Sequence, residues 1–352
     1  MRDDLVRAVW HGDGFAALIM RAALTPFEWI YGAVSLVVGA RRARGAGRAA
    51  VPTVSVGNLT VGGTGKTPVA AWFAARLHER GLAPALLLRG YGDDETLVHE
   101  RLNESVPVIA DPDRRRGAGR AIAQGARALV LDDAFQHRQM PRTLDVVLVS
   151  ADLWDGTARL LPAGPFREPL MALRRAQLVV VTRKAASSER ARAVAVRLTA
   201  ESGGVPVAVV HLAPDRLVRW ADGASEPVEA LRGGRTLAVS GIGAPGAFAA
   251  QLRASGAVVD EAPFGDHHAY SARDVDALVA RAAPGMRVVC TLKDAVKLGP
   301  RWPASAPGLW YLSQSVLFEA GAETVESLLD RLRPAVAPAT PAPSGPKTES
   351  NG

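Results

Sequence analysis

The chain has 352 residues, of which 48% are apolar and 22% charged, so a packed core can extend through most of it and global disorder is excluded. The 42 Lys and Arg residues exceed the 35 Asp and Glu residues, and the resulting charge of +7 favours acidic partners: a phosphorylated substrate, an anionic membrane or nucleic acid. Aromatic residues make up only 5%, which argues against a base-stacking surface, and we expect no nucleic-acid partner. The single cysteine, Cys290, excludes an internal disulfide framework.

The first distinctive segment is an apolar stretch near the N-terminus. The uncharged run Trp29–Ala40 is followed by Arg41, Arg42, Arg44 and Arg48. As a helix this run would be about 18 Å long, shorter than the roughly 30 Å core of a bilayer. An apolar helix beside arginines is typical of the interface of an anionic leaflet, so we predict an interfacial membrane segment over residues 1–48. A buried core helix and a true membrane span are the alternatives, and a cleaved signal peptide fits poorly because the positive charges follow the apolar run.

Residues 49–215 alternate between short apolar runs and helical stretches. This pattern is typical of a mostly parallel α/β sheet covered by helices on both faces. The predicted strands are Thr53–Val56, Ala85–Leu88, Val106–Ile109, Ala128–Leu131, Asp145–Val149, Leu178–Thr182 and Val207–Val210. The predicted helices are Val69–Arg80, Gly117–Gln124 and Ser188–Ala200.

A second, smaller α/β domain is predicted over residues 216–333, with the boundary inside a loop-rich stretch between residues 213 and 234. Its predicted strands are Thr236–Ser240, Val258–Pro263, Arg287–Thr291 and Leu309–Leu312. Its predicted helices are Pro245–Ala254, Ser271–Ala282 and Ala322–Leu332. Residues 334–352 are rich in Pro, Ala, Ser and Thr, cannot bury a core, and are predicted to be a disordered tail.

The strongest local signal is a glycine-rich loop between a predicted strand and a predicted helix. It consists of Thr60, Val61, Gly62, Gly63, Thr64, Gly65, Lys66 and Thr67. The glycines let backbone amides turn toward an anion, and the helix N-terminus adds its dipole. Lys66 can reach the β- and γ-phosphates of a nucleotide, and the Thr67 hydroxyl can bind Mg²⁺. Although Thr60 replaces the first glycine of the P-loop pattern, the strand–loop–helix context predicts ATP and Mg²⁺ as cofactors.

A pair of carboxylates follows a later apolar strand. Asp132 and Asp133 come directly after the run that begins at Ala128. A carboxylate that holds the magnesium of a P-loop nucleotide lies at such a strand end, so either residue is a candidate metal ligand together with Thr67. Partition-type ATPases, which share this kind of loop, carry a signature lysine just before the glycines. Val61 occupies that position here, which favours a metabolic kinase.

Eight blocks of sequence together resemble one family. They are Val56–Pro68, Arg89–Gly92, Asp94-Glu95, Asp132–Arg138, Leu161–Pro169, Gly241–Gly243, Asp266–His268 and Thr291–Lys297. In this order the chain resembles the tetraacyldisaccharide 4′-kinases, the P-loop kinases of lipid A biosynthesis. The resemblance implies transfer of the ATP γ-phosphoryl group to the 4′-hydroxyl of a lipid A disaccharide 1-phosphate precursor. It places the enzyme at the anionic leaflet on the cytoplasmic face of the inner membrane, and it implies no protein partner.

The resemblance also implies catalytic roles. Asp94 corresponds to the base that accepts the proton of the attacking hydroxyl, and His267 to the group that orients it, with the adjacent His268 as a rival. Lys66 would neutralise the phosphate oxygens. From the residues alone, Asp94 is equally compatible with a polar turn and the two histidines with a loop.

Several residues are candidates for substrate binding. They are Asn58, Arg89, Tyr91, Arg114, Gln136, His137 and Arg167. Arginine suits bidentate contacts with phosphate, although Arg114 is equally compatible with a solvated face. Asn58 opens the phosphate loop and is equally compatible with a turn-stabilising role. The alternatives for the whole chain are a P-loop kinase or ligase acting on a soluble metabolite and a nucleotide-switched membrane adaptor ATPase.

Overall fold

A computed structural model describes residue 6 and residues 8–10, 12–44, 49–90, 93–243 and 245–332. The predicted tail over residues 334–352 lies outside the described residues, as do Tyr91 and Gly92. The helices are α1 (Phe15–Ala43), α2 (Lys66–Glu79), α3 (Asp93–Leu102), α4 (Arg114–Ala123), α5 (Ser188–Ser202), α6 (Pro245–Ala254), α7 (Ala272–Arg281), α8 (Leu292–Leu298) and α9 (Ala322–Asp330). The strands are β1 (Thr53–Asn58), β2 (Pro84–Leu88), β3 (Val108–Ala110), β4 (Ala128–Asp132), β5 (Leu144–Ser150), β6 (Leu178–Arg183), β7 (Val207–Arg219), β8 (Ser225–Pro227), β9 (Arg235–Ser240), β10 (Val258–Pro263), β11 (Arg287–Thr291) and β12 (Leu309–Ala320).

These strands form one sheet in the order β10-β9-β11-β12-β7-β6-β5-β1-β4-β2-β3, with β8 paired to β7. Pairing is parallel except where β7 meets β12 and β8. The long antiparallel pair β7–β12 therefore joins two parallel halves. The predicted α/β class, with its mostly parallel sheet, is confirmed. The predicted domain boundary between residues 215 and 216 falls inside β7, and the division into two domains stays a prediction.

The core lies on both faces of this sheet. On one face α2 and α9 cover the central strands with residues such as Phe73 and Leu329. On the opposite face α5 and a 3₁₀ turn over Leu170–Arg175 bury residues such as Leu198 and Leu173. The central strands are therefore covered by helices on both faces. Because both faces are buried, each strand is a continuous apolar run, and this pattern predicted the strands from the sequence.

Each strand predicted from the sequence is present, but β7 and β12 are longer than predicted. Their extensions carry polar and proline residues because an antiparallel pair tolerates a partly exposed face. The structure also contains α3, α8 and β8, which were not predicted. Helix α3 is dominated by charged residues, and α8 has seven residues that follow β11 without a loop, so neither has a clear apolar period.

Helix α1 is much longer than the uncharged run Trp29–Ala40, which lies in its C-terminal half. It spans 29 residues, continues through Pro26 and buries only Gly32. A helix of this length extends about 43 Å, and its composition is apolar enough to cross a membrane. The alternative of a buried core helix does not fit, because side chains such as Phe27, Trp29 and Ile30 are exposed.

One close approach fixes the end of β1 against the loop that follows β4. A Cβ atom at Gly57 would lie 2.6 Å from Cβ and 2.7 Å from the backbone nitrogen of Phe135, whose side chain is fully buried. Only glycine fits at this position without moving the backbone.

We therefore expect Gly57→Ala to destabilise the fold by about 1–3 kcal/mol, since neither strand nor loop can yield easily. Thermal or urea unfolding followed by circular dichroism measures the loss. Gly119→Ala, in open space on α4, is the control and is expected to gain about 0.5–1 kcal/mol. Equal stability of the two variants would contradict the steric argument.

Candidate active site

The candidate site is built at the carboxyl ends of adjacent parallel strands. Strand β1 lies between β4 and β5, and Val56 pairs with Asp132. The phosphate loop leaves β1 just beyond this pair, so the carboxylates at the end of β4 lie beside it. Strand β2, on the other side of β4, ends before Arg89 and leads to α3. Three segments that are separate in sequence thus meet at one edge of the sheet.

The phosphate loop holds its shape through internal contacts. The side chain of Asn58 is buried, and its Nδ2 donates to the carbonyl of Thr60 at 2.8 Å and to Oγ1 of Thr64 at 3.1 Å. Gly65 has φ +83°, and a Cβ there would lie 2.2 Å from Cδ1 of Leu212. Asn58 therefore has the contacts of the turn-stabilising role, and its use in substrate binding stays a prediction.

Lys66 begins α2 and points toward the end of β4. Its Nζ lies 3.7 Å from Oδ1 of Asp133, and Nη1 of Arg167 lies 3.3 Å from both oxygens of the same carboxylate. Burial opposes ionisation of Asp133, but the charges of Lys66, Arg167 and Arg114 outweigh it and lower the pKa of the carboxyl. Two cations that are expected to meet phosphate are therefore held by one ionised carboxylate.

Asp132 has a different environment. It is 6% exposed, and its Oδ2 lies 2.9 Å from Nε2 of His99. Its Oδ1 is buried without a hydrogen-bond partner among the described residues. An unpartnered buried carboxylate oxygen beside a phosphate loop fits a hard cation such as Mg²⁺. The described residues contain no cluster of three acidic, His or Cys ligands.

Asp94 meets residues from the other half of the sheet because α3 packs against α8. Its Oδ2 lies 3.3 Å from Nζ of Lys297 and 3.9 Å from Nδ1 of His267. The second ring nitrogen of His267 lies 2.9 Å from Nζ of Lys293. The side chain of Asp94 is 13% exposed, so it is largely shielded from water and lies beside the cation of Lys297.

His268 has other partners than Asp94. Its Nε2 lies 3.2 Å from Oδ2 of Asp274, and its ring packs against Phe264 and Tyr270. His267 adopts φ +57°, a left-handed conformation that is uncommon for a residue other than glycine. Of the two histidines left open by the sequence, the structure brings His267 to Asp94.

Four residues near the site were missed as candidates: Glu95, His99, Lys293 and Lys297. Burial, followed by the charge of Asp132, raises the pKa of Glu95. Burial lowers the pKa of Lys293. Their spacing in the sequence could have identified them. Glu95 and His99 are four residues apart, as are Lys293 and Lys297, and residues at this spacing share a helix face.

The remaining basic candidates lie around the carboxylate pair. Arg114 is 3% exposed and donates to the carbonyl oxygens of Asp132 and Asp133, so a solvated face is the wrong interpretation. Arg89 is exposed at the end of β2, and its charge acts on both Arg114 and His137. Burial lowers the pKa of Arg114.

Gln136 and His137 follow the carboxylates and are partly exposed. Nε2 of Gln136 donates to the carbonyl of Asn58 at 2.8 Å, which ties this loop to the phosphate loop. Burial lowers the pKa of His137 from its ordinary value of 6.5 to about 4, and nearby arginines act in the same direction. His137 is therefore uncharged at neutral pH.

A loop between β5 and β6 connects α1 to this site. On the α1 side, Oε1 of Glu28 accepts a hydrogen bond from the backbone nitrogen of Leu160 at 2.6 Å. On the site side, the backbone nitrogen of Arg167 donates to the carbonyl of Leu59 at 2.6 Å, and that of Val61 donates to the carbonyl of Pro165 at 2.8 Å. The apolar helix and the phosphate loop are thus held by the same segment.

Known proteins are similar to this chain along most of its length. The family model described as LpxK, tetraacyldisaccharide-1-P 4′-kinase, matches residues 20–333. The tetraacyldisaccharide 4′-kinase of Anaeromyxobacter sp. (strain Fw109-5) is 41% identical over 331 residues, covering 84% of this chain and 88% of that protein. That of Rhodopseudomonas palustris (strain BisA53) is 37% identical over 324 residues, covering 86% and 89%.

A solved structure is similar along nearly the whole fold. The crystal structure of the "apo" form of LpxK from Aquifex aeolicus in complex with ATP has a TM-score of 0.71 and 27% identity, covering 89% of this chain and 99% of that chain. The fold and the phosphate loop define this chain as a P-loop kinase. It belongs to the tetraacyldisaccharide-1-P 4′-kinase family.

The low pKa of His137 makes stability depend on pH. Below about pH 6.5 the unfolded chain binds a proton at this histidine that the folded chain does not bind until about pH 4, so the free energy of unfolding falls as the pH decreases through this window. In His137→Asn this contribution is absent, so the variant loses less stability between pH 7.5 and pH 4.5. Urea titrations at both pH values measure the difference. His78→Asn, exposed on α2, is the matched control. An identical pH dependence of the free energy of unfolding in the natural chain and both variants would refute the low pKa of His137.

Proposed function

We propose that this chain transfers the γ-phosphoryl group of ATP to the 4′-hydroxyl of a tetraacyldisaccharide 1-phosphate at a membrane surface. The observation that carries the proposal is the position of α3. This helix presents Asp94 to Lys297 and His267, and the next residue, Glu95, interacts electrostatically with Asp132 and Asp133. A candidate base therefore lies next to the carboxylates that flank the phosphate loop.

Phosphoryl transfer depends mainly on positioning and on stabilising negative charge. Asp94 accepts the proton of the 4′-hydroxyl, whose oxygen forms the new bond to the γ-phosphorus while the bond to the β-phosphate oxygen breaks and ADP leaves. Lys297 pairs with the carboxylate of Asp94, and His267 orients it. Lys66 stabilises the charge on the β- and γ-phosphate oxygens.

A magnesium ion bound with ATP supplies further charge neutralisation at the phosphates. Thr67 and Asp132 would hold it, and Asp133 would instead hold Lys66 and Arg167 until phosphate replaces it as their partner. This division of roles follows from their contacts, because Asp133 is ion-paired and Asp132 keeps a buried oxygen without a partner.

We assign binding of the lipid part of the substrate to α1 and to the arginines at its C-terminal end. The exposed apolar face of α1 would enter the acyl region, and Arg41, Arg42 and Arg44 at the C-terminal end of the helix would meet anionic headgroups. Arg89 and Arg167 are the candidates for sugar or phosphate of the disaccharide. We place the enzyme at the cytoplasmic face of the inner membrane, where ATP is available.

The role of Asp94 is tested by Asp94→Asn. Loss of a general base is expected to lower kcat by about 10²–10⁴-fold and to change KM for ATP little, because Asp94 meets the acceptor rather than the nucleotide. Steady-state kinetics with varied ATP measure the split. Glu100→Gln, exposed on the same helix, is the control and should behave like the natural chain. A rise in KM for ATP with unchanged kcat would reassign Asp94 to nucleotide binding.

The reaction itself is tested with γ-labelled ATP, Mg²⁺ and the disaccharide 1-phosphate lipid in detergent. We expect label in the lipid, and none when the 4′-hydroxyl is replaced by hydrogen. A kinase or ligase for a soluble metabolite would leave the lipid unlabelled, and an adaptor ATPase would release ADP and free phosphate only. Either result, with an active family member as positive control, would overturn the proposed function.

A further inference from the structure

His99 lies on α3, and its side chain is fully buried. Its partner, Asp132, comes 33 residues later in the sequence. His99 is 0% exposed, and its Nε2 lies 2.9 Å from Oδ2 of Asp132. Its other ring nitrogen, Nδ1, is buried without a hydrogen-bond partner among the described residues. The contact with Asp132 is the one polar contact that accounts for this imidazole in the described part of the chain.

Packing by itself does not explain a histidine here. A buried polar atom without a partner costs stability, and an apolar side chain of similar size would fill the same space without that cost. The histidine is therefore explained by its hydrogen bond to a carboxylate rather than by its volume. In the Nε2–H tautomer the ring donates this hydrogen bond to Oδ2 of Asp132.

This bond has a directional consequence for Asp132. A carboxylate at the end of a strand can rotate about its side-chain torsions. The donor on His99 holds Oδ2, which leaves Oδ1 as the buried oxygen without a partner, at the edge of the sheet where the phosphate loop begins. Outer partners of this kind set the orientation of metal-binding carboxylates in many sites.

We propose that His99 is a positioning residue that orients Asp132 toward the magnesium ion of Mg–ATP. The proposal rests on the metal-binding role of Asp132 in the proposed function. It adds that α3 carries two tasks, since the helix that presents Asp94 to the acceptor also positions the carboxylate at the nucleotide through His99. The metal side and the acceptor side of the reaction are thereby held by one rigid element.

The test measures metal affinity directly. Mn²⁺ replaces Mg²⁺ as a paramagnetic probe, and its binding to the full chain with a non-hydrolysable ATP analogue is followed by electron paramagnetic resonance. His99→Leu, which fills the space without a donor, is expected to weaken Mn²⁺ binding by about 10–100-fold. His99→Gln, which restores an N–H donor, is expected to recover part of the affinity. KM for Mg–ATP should rise in parallel in His99→Leu.

A control separates positioning from loosening of the helix. Val98→Ala removes buried volume from the neighbouring position of α3 and should keep the Mn²⁺ affinity of the natural chain. Circular dichroism melts of all variants report folding. Folded His99→Leu with unchanged Mn²⁺ affinity would overturn the proposal, as would an equal loss of affinity in Val98→Ala.

A double-variant cycle distinguishes this proposal from the one on which it rests. If His99 acts through Asp132, then Asp132→Asn combined with His99→Leu binds Mn²⁺ no more weakly than Asp132→Asn alone. Additive losses would overturn the role of His99 while leaving Asp132 as a ligand. Unchanged affinity in Asp132→Asn alone would instead overturn the metal role of Asp132, and the proposal about His99 with it.

Discussion

The parallel pairing of β1 with β4 determines where the groups of the candidate site lie. The pairing of Val56 with Asp132 brings the start of the phosphate loop and the end of the carboxylate-bearing strand to the same level of the sheet. The close approach of Gly57 to Phe135 leaves no room for a side chain between the two segments. Lys66 meets Asp133 because of this register, and no local property of either segment would bring them together.

A second constraint comes from the joint between the halves of the sheet. The antiparallel pair β7–β12 continues the sheet from β6 to β11, so the parallel strands of both halves contribute their carboxyl ends to the packing of α3 against α8. Charge then determines the local arrangement: Asp94 is held beside Lys297 and His267, and Asp133 beside Lys66 and Arg167. Buried and half-buried carboxylates are tolerated at this edge because each has a cation or a donor near it.

The loop between β5 and β6 gives the apolar helix a mechanical connection to the nucleotide site. Glu28, which interrupts the apolar sequence of α1, is 13% exposed and accepts the backbone hydrogen bond of Leu160. The same loop pairs with the phosphate loop on both sides of Thr60 and carries Arg167 to Asp133. The hydrogen bond of Glu28 to this loop thus explains why α1 contains one acidic residue. The uncharged side chains around Glu28 remain exposed.

The sequence by itself determined the features that depend on local pattern. The alternation of apolar runs and helices predicted the parallel sheet, and the glycine loop with Lys66 and the strand ending at Asp132 predicted the nucleotide site, because main-chain geometry and strand direction are encoded over a few residues. Only the tertiary structure decided that His267 rather than His268 lies beside Asp94, that Arg114 is buried, and that His99 contacts Asp132. These contacts join residues far apart in the chain. The contact of Asp94 with His267 depends on the packing of α3 against α8, two short helices whose charged or brief sequences carry no periodic signal of their own.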